Sequence, residues 1–310
     1  MANKNLTMAK RAKNDEFFTQ MSDIEKELKN YRNHFKDAVV FCNCDDPEWS
    51  NFWRYFHLNF EYLGLKKLIS THYDPVEPTY KMEYEGGNDS DTSIGKITQL
   101  KQNGDFRSPE CIELMKSSDI VVTNPPFSLF REYIGQLIEH DKKFVVVGNQ
   151  NAITYKEIFP LIMNNNVWLG VNSGDMAFKV PADSEPRETR FWIDENGQKW
   201  RSMGNACWYT NLDIAKRHEP IDLIEKYHPE KYQNYDNYQI INVDKTLNIP
   251  VDYDGVMGVP ITMLQYYCPE QFEILGVANS ARYIGSVPCL TFIDGKKIYN
   301  RILIRRKRGN

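Results

Sequence analysis

The stretch DIVVTNPPFSLFREYIG (119–135) decides the fold. After Asp119 it opens on apolar and β-branched residues, the composition of a buried strand. From Ser128 onward, SLFREYIGQLIEH (128–140) carries apolar residues at helical spacing. Between the two stand Asn124, Pro125, Pro126 and Phe127. The prolines lock φ at about −65° and cannot continue a ladder, so the turn is rigid. A strand, a stiff turn and a helix make half of a βαβ unit.

The same alternation extends in both directions. Upstream, MSDIEKELKNYRNH (21–34) has helical spacing, with Ser22 as N-cap and Glu25 completing a capping-box pattern. AVVFC (38–42) reads as a buried strand, and PEWSNFWRYFHLNFEYLG (47–64) as a helix ending at Gly64. KKLIST (66–71) is the next strand; a glycine-bearing polar stretch (85–95) is a loop or hairpin, and KITQL (96–100) a strand. SPECIELMKSS (108–118) is a helix with Pro109 in its first turn. Downstream, KFVVVGN (143–149) is a strand, and TYKEIFPLIMNN (154–165) a helix that Pro160 kinks. VWLGV (167–171), MAFKV (176–180) and NACWYTNL (205–212) are further strands. Repeated strand–helix–strand units predict an α/β fold, doubly wound around a mostly parallel sheet. The rhythm stops near residue 212, where tyrosine-rich (226–239) and Gly/Pro-rich (251–260) segments begin. We therefore expect two regions, 1–215 and 216–310.

Composition narrows the class. Of 310 residues 41% are hydrophobic and 13% aromatic, enough for a packed core and too many for a disordered chain. No apolar run approaches the roughly 20 residues of a membrane span, and the N-terminal stretch has no apolar signal core. Six cysteines without a disulfide pattern fit a reducing compartment, so the expectation is a cytoplasmic protein. Cys42 and Cys44 lack the further ligands of a zinc site, and no metal is expected. A net charge of −4 argues against coating nucleic acid indiscriminately. The cations cluster instead: Lys4, Lys10, Arg11 and Lys13 at one end; Lys296, Lys297, Arg301, Arg305, Arg306, Lys307 and Arg308 at the other. Both clusters are candidate phosphate contacts. In the second, ILI (302–304) among the basic residues indicates an ordered strand.

Asn124–Phe127 carries the chemistry. In open α/β sheets, ligands bind beyond the carboxyl ends of the strands, where this motif lies. Pro125 and Pro126 lack N–H groups, so the turn offers acceptors, and Asn124 adds an amide oxygen. A rigid set of acceptors suits a planar NH2 group. The N6 amine of adenine is a poor nucleophile because its lone pair is delocalised into the ring. Acceptors on both N6 hydrogens, the Asn124 side chain and the Pro125 carbonyl, favour a pyramidal nitrogen and aim its lone pair at a methyl donor. Phe127 would stack on a base extruded from the duplex. Such loops serve adenine, cytosine N4 and glutamine amides alike.

Other segments supply a cofactor site. Asp105 and Phe106, between a strand and a helix, suit an adenine ring and its amine, although Gly-Asp also makes ordinary turns. Asp74 follows a strand in the position of a ribose-binding acid, with His72 and Tyr73 as alternatives. Cys42, Asn43, Asp45 and Asp46 follow the first buried strand without any glycine; either acid suits the cofactor's ammonium group. Thr19, with Phe17 or Phe18, either contacts its methionine part or belongs to a segment that only caps and packs the first helix. Candidate DNA contacts are Lys10, Arg11, Lys13, Arg190, Arg201, Arg282, Arg305 and Arg306, with Arg282 the candidate reader of a base edge.

Taken together, NDEFFT (14–19), VVFCNCDDP (39–47), GDF (104–106), DIVVTNPPFSLFREYI (119–134), WYTNL (208–212) and VPITMLQYYCPEQFEILG (259–276) resemble the EcoRI-type adenine-specific DNA methyltransferase family. The resemblance spans roughly 14–308. It implies a seven-stranded, Rossmann-like methyltransferase sheet whose last strand is antiparallel. It implies S-adenosyl-L-methionine as cofactor, double-stranded DNA as substrate and a C-terminal target-recognition region. Such an enzyme is either solitary or linked to a cognate restriction endonuclease that it does not physically require. The alternative is an RNA or protein-glutamine methyltransferase, against which the 95 or so residues beyond 215, ending in a basic cluster, argue.

Overall fold

The computed structural model describes residues 18–74, 76, 78–278 and 291–307. The chain divides into two compact units: Met1–Gln150 with Gly170–Leu212, and Asn151–Leu169 with Asp213–Asn310. Residues 151–169 thus group with the C-terminal part of the chain.

The first unit is built on one sheet. Its strands are β1 (Phe18–Thr19), β2 (Val39–Cys42), β3 (Lys67–Thr71), β4 (Tyr80–Tyr84), β5 (Lys96–Gln99), β6 (Ile120–Thr123), β7 (Lys143–Asn149), β8 (Trp168–Lys179), β9 (Phe191–Ile193) and β10 (Lys199–Thr210). The order is β1-β8-β10-β7-β6-β2-β3-β4-β5, with β9 paired to β10. The four central strands β3-β2-β6-β7 are parallel. Val40 lies opposite Ile120 and Phe41 opposite Val121. All four residues of β6 are buried, as expected of a central parallel strand covered on both faces. Antiparallel strands extend both flanks, β4 and β5 beyond β3, β10 beyond β7. The α/β class holds, with ten strands where seven were expected.

The helices explain themselves locally. In α1 (Met21–Leu28), Ile24, Glu27 and Leu28 are buried. The N-cap is Gln20, without a side-chain cap bond, so Ser22 lies inside the helix and the expected capping box does not form. Ser50 caps α2 (Asn51–Leu58) by accepting from the Phe52 N–H. Ser108 caps α3 (Pro109–Ser117), accepting from the Cys111 N–H at 3.2 Å, with Pro109 in the first turn where its missing N–H costs nothing. In α4 (Phe130–Glu139), Phe130, Tyr133, Ile134 and Leu137 are buried, the i, i+3, i+4, i+7 stripe of an amphipathic helix.

Three readings are corrected. Pro160 does not kink a long helix; it starts a short one, α5 (Phe159–Met163). The two strands expected across 167–180 are one strand, β8. Strand β4, YKMEY, was not anticipated, because its mixed polar pattern reflects a place near the sheet edge.

The second unit carries a five-stranded sheet of β11 (Asn234–Tyr235), β12 (Tyr238–Asn242), β13 (Met257–Pro260), β14 (Phe272–Ala278) and β17 (Arg301–Arg306), ordered β11-β12-β13-β17-β14. A small hairpin, β15 (Phe292–Ile293) and β16 (Lys296–Lys297), precedes β17. Ile302, Leu303 and Ile304 are buried, so the ILI core of the basic cluster is an interior strand. Among the described residues, no helix is long and apolar enough to cross a membrane.

Candidate active site

Strands β2, β3 and β6 run parallel, so their carboxyl ends share one edge of the sheet. The loops leaving that edge, with Phe18 of β1 and Gly104–Arg107 ahead of α3, enclose a cavity of about 870 Å³, mouth included. Phe18, Trp49, Tyr73 and Phe106 give it aromatic walls; Asp45, Asp46 and Asp105 give it carboxylates. Asn124, Pro126 and Leu129 close it from the β6 side.

The loop after β2 is held by side chains from its neighbours. Asp45 is buried, and its Oδ1 accepts from Ser50 Oγ at 2.8 Å. Its Oδ2 accepts from the Asn124 N–H at 3.0 Å and from the Thr123 hydroxyl. Burial pushes the Asp45 carboxyl up to about 6, against the lowering effect of those hydrogen bonds. Asp46 accepts from the Glu48 N–H at 2.9 Å and pairs with His72 Nδ1.

The Asn103–Arg107 segment is shaped by a close approach. Gly104 has φ +72°, and a Cβ there would lie 2.2 Å from the His72 carbonyl oxygen. Only glycine fits a left-handed residue pressed against another backbone. The Asp74 N–H donates to the Asn103 carbonyl at 3.3 Å, fastening the two loops together. Gly104→Ala is expected to destabilise the protein by about 1–3 kcal/mol, the cost of strain at such a position. Thermal unfolding checks this, and an unchanged midpoint would refute it. Next to Gly104, both Asp105 oxygens are engaged by Arg107, Nε at 2.8 Å and a terminal nitrogen at 2.6 Å. Burial raises the Asp105 carboxyl and Arg107 lowers it more, leaving it below its ordinary value. Phe106 packs edge-on against Tyr133 with ring centres 5.0 Å apart.

Residues 5–307 match the family described as adenine-specific methyltransferase EcoRI. The chain belongs to that family. It is 48% identical to the Type II methyltransferase M.EcoRI of Escherichia coli, over 99% of this chain and 97% of that one. It is 37% identical to the Type II methyltransferase M.MpnI of Mycoplasma pneumoniae, over 97% of this chain and 98% of that one. M.MgeORF184P of Mycoplasma genitalium is also 37% identical, over 96% of this chain. No solved structure matches. The chain is thus a DNA adenine methyltransferase of the restriction–modification type, and uses a methyl donor.

In this member of the EcoRI family, the sequence-derived candidates fall in four groups. Phe18, Asn43, Asp45, Asp46, Asp105, Phe106, Asn124 and Pro126 come together around the cavity. Thr19 and Cys42 are buried in strands beside it, and Asp74 turns its carboxylate back to the Val76 N–H at 2.8 Å, leaving Tyr73 on the wall. Pro125 and Phe127 flank the lining residues without being among them. Phe17, Lys10, Arg11, Lys13 and Arg282 lie outside the described residues. Arg190 approaches Asp175 at 3.7 Å, Arg201 sits on β10, and Arg305 pairs with Glu273 at 2.8 Å beside Arg306 on β17. Sequence reasoning passed over Trp49, which packs against Phe18 with ring centres 4.3 Å apart. It also passed over Arg107, whose guanidinium forks onto both Asp105 oxygens.

Proposed function

We propose that the chain transfers a methyl group from S-adenosyl-L-methionine to N6 of an adenine extruded from double-stranded DNA. The observation that carries the reading is that Asn124 and Asp105 border one cavity at the carboxyl edge of the sheet. The lining suits that donor: aromatic faces for a purine, and carboxylates for hydroxyl and ammonium groups. Bound there, S-adenosyl-L-methionine supplies an electrophilic methyl on a sulfonium.

The protein's own groups do the rest. Phe106 and Asp105 hold the adenosine; Tyr73, Asp46 and Phe18 hold the remainder of the donor. The Asn124 amide oxygen and the Pro125 carbonyl accept the two N6 hydrogens, which withdraws the lone pair from the ring and orients it. Phe127 stacks on the extruded base. We assign catalysis to the first unit and target recognition to the second, with Arg190, Arg201, Arg305 and Arg306 as DNA contacts. A cognate endonuclease of the same target sequence is the expected companion. The cytoplasm, reducing and DNA-containing, suits described cysteines that are all free.

Tritium transfer from labelled S-adenosyl-L-methionine to unmethylated duplex DNA, followed by nucleoside mass spectrometry, tests this directly. N6-methyladenine is expected. Label in cytosine, or none in DNA, would refute the assignment. Asp105→Ala is expected to weaken cofactor binding about tenfold or more, from the roughly 1.5–3 kcal/mol of a hydrogen bond to a charged group. Unchanged affinity in titration calorimetry would reduce Asp105 to a partner for Arg107.

A further inference from the structure

Between the cofactor loop and the catalytic turn runs a relay of hydrogen bonds through one carboxylate. The Cys44 N–H donates to Thr123 Oγ1 at 3.0 Å, and the Thr123 hydroxyl donates onward to Asp45 Oδ2. The same oxygen accepts from the Asn124 N–H at 3.0 Å. Asp45 Oδ1 is held by Ser50 Oγ at 2.8 Å, at the start of α2. Ser70 of β3 donates to the Asp45 backbone carbonyl. Asp45 is thus fixed from the β3, β6 and α2 sides and grips the backbone of the residue whose side chain lines the cavity.

We propose that Asp45 is a positioning residue for methyl transfer: its carboxylate sets the Asn124 backbone, and so the direction of the Asn124 amide oxygen. The inference rests on the reading of Asn124 given above. Asp45 meets three donors from the protein, one on Oδ1 and two on Oδ2. A rigid acceptor matters here because misplacement by about 1 Å costs up to about 10²-fold in rate.

Protonation gives the role a signature. Asp45 titrates at about 6, raised first by burial, while Thr123, Asn124 and Ser50 oppose that and Asp46 adds to it. Asp46 and the Cys44 thiol on its own loop, the Cys42 thiol at the end of β2, and Tyr133 from α4 are the titratable groups that interact with it. The raised carboxyl is ionised above about 6, where it accepts all three hydrogen bonds. As pH falls through that value it gains a proton, one acceptor is lost, and the grip on Asn124 loosens.

The test is a mutant cycle of Asp45→Asn, Asn124→Ala and the double variant, measured by single-turnover methyl transfer to duplex DNA with enzyme in excess. Asp45→Asn is expected to slow transfer about 10–100-fold, with S-adenosyl-L-methionine affinity within about twofold and the acid limb near pH 6 gone. In the Asn124→Ala background it is expected to slow transfer by no more than about twofold, since coupled residues are non-additive. A full Asp45→Asn loss persisting in that background overturns the proposal. An Asn124→Ala variant that keeps the full rate overturns instead the reading of Asn124 beneath it. Should Asp45→Asn fail to fold, Thr123→Val removes one of the donors; slower transfer at unchanged cofactor affinity supports the proposal, and an unchanged rate overturns it.

Discussion

Asn124→Ala is expected to slow methyl transfer about 10²–10³-fold, the scale of removing one oriented hydrogen-bonding group from a reacting centre. Cofactor affinity is expected to stay within about twofold. The two effects separate because Asn124 makes two kinds of contact. Its backbone N–H donates to Asp45, and that bond survives the substitution. Only the side-chain amide, on the cavity wall, is lost. The turn is further stiffened by Pro125 and Pro126, whose φ angles do not depend on their neighbour. Single-turnover transfer to duplex DNA, beside titration calorimetry with S-adenosyl-L-methionine, measures both numbers. Equal losses in rate and affinity would mean that Asn124 holds the cofactor and not the base amine.

Glu27→Ala is expected to have the largest effect on stability, about 3–5 kcal/mol, the sum of two or three orphaned buried donors. Glu27 is fully buried on α1. Its carboxylate accepts from the Val171 N–H at 2.8 Å, the Asn172 N–H at 2.8 Å, Asn172 Nδ2 at 2.7 Å and Tyr31 Oη at 2.8 Å. Burial raises this carboxyl, and the four hydrogen bonds work against that rise. Gly170 belongs to the same arrangement, since a Cβ there would lie 2.2 Å from Glu27 Oε1. Alanine at 27 would leave β8 donors facing a void. Urea unfolding gives the difference directly, at constant m-value. A loss under about 1 kcal/mol would show that water or a shifted strand satisfies those donors.

Much of the site was legible from local sequence. Asn124-Pro125-Pro126-Phe127 sits at a strand end because its chemistry and its conformational restriction coincide in four adjacent residues. Gly104 and Asp105 could be placed for a similar reason: a left-handed turn needs glycine, and the acid follows directly. The parallel centre of the sheet was also readable, since VVFC and IVVT are apolar on both faces. Edge strand β4 was not, because a polar strand near an edge carries no such mark. Nor was Trp49, whose single aromatic ring looks in sequence like any residue of a helix start.

By itself the sequence determined the α/β class, the position of the Asn124–Phe127 turn at a strand end and, through a resemblance spread along nearly the whole chain, the family. These are properties of short segments, where neighbouring residues share one turn, one strand or one helix face. The tertiary structure alone decided which groups each acid meets. Asp45 meets Asn124 from 79 positions away, Glu27 meets Val171 from 144, and Arg107 engages both oxygens of Asp105. A carboxylate's role depends on which donors surround it and how much water is excluded, and in a folded chain those are set by segments far apart in sequence.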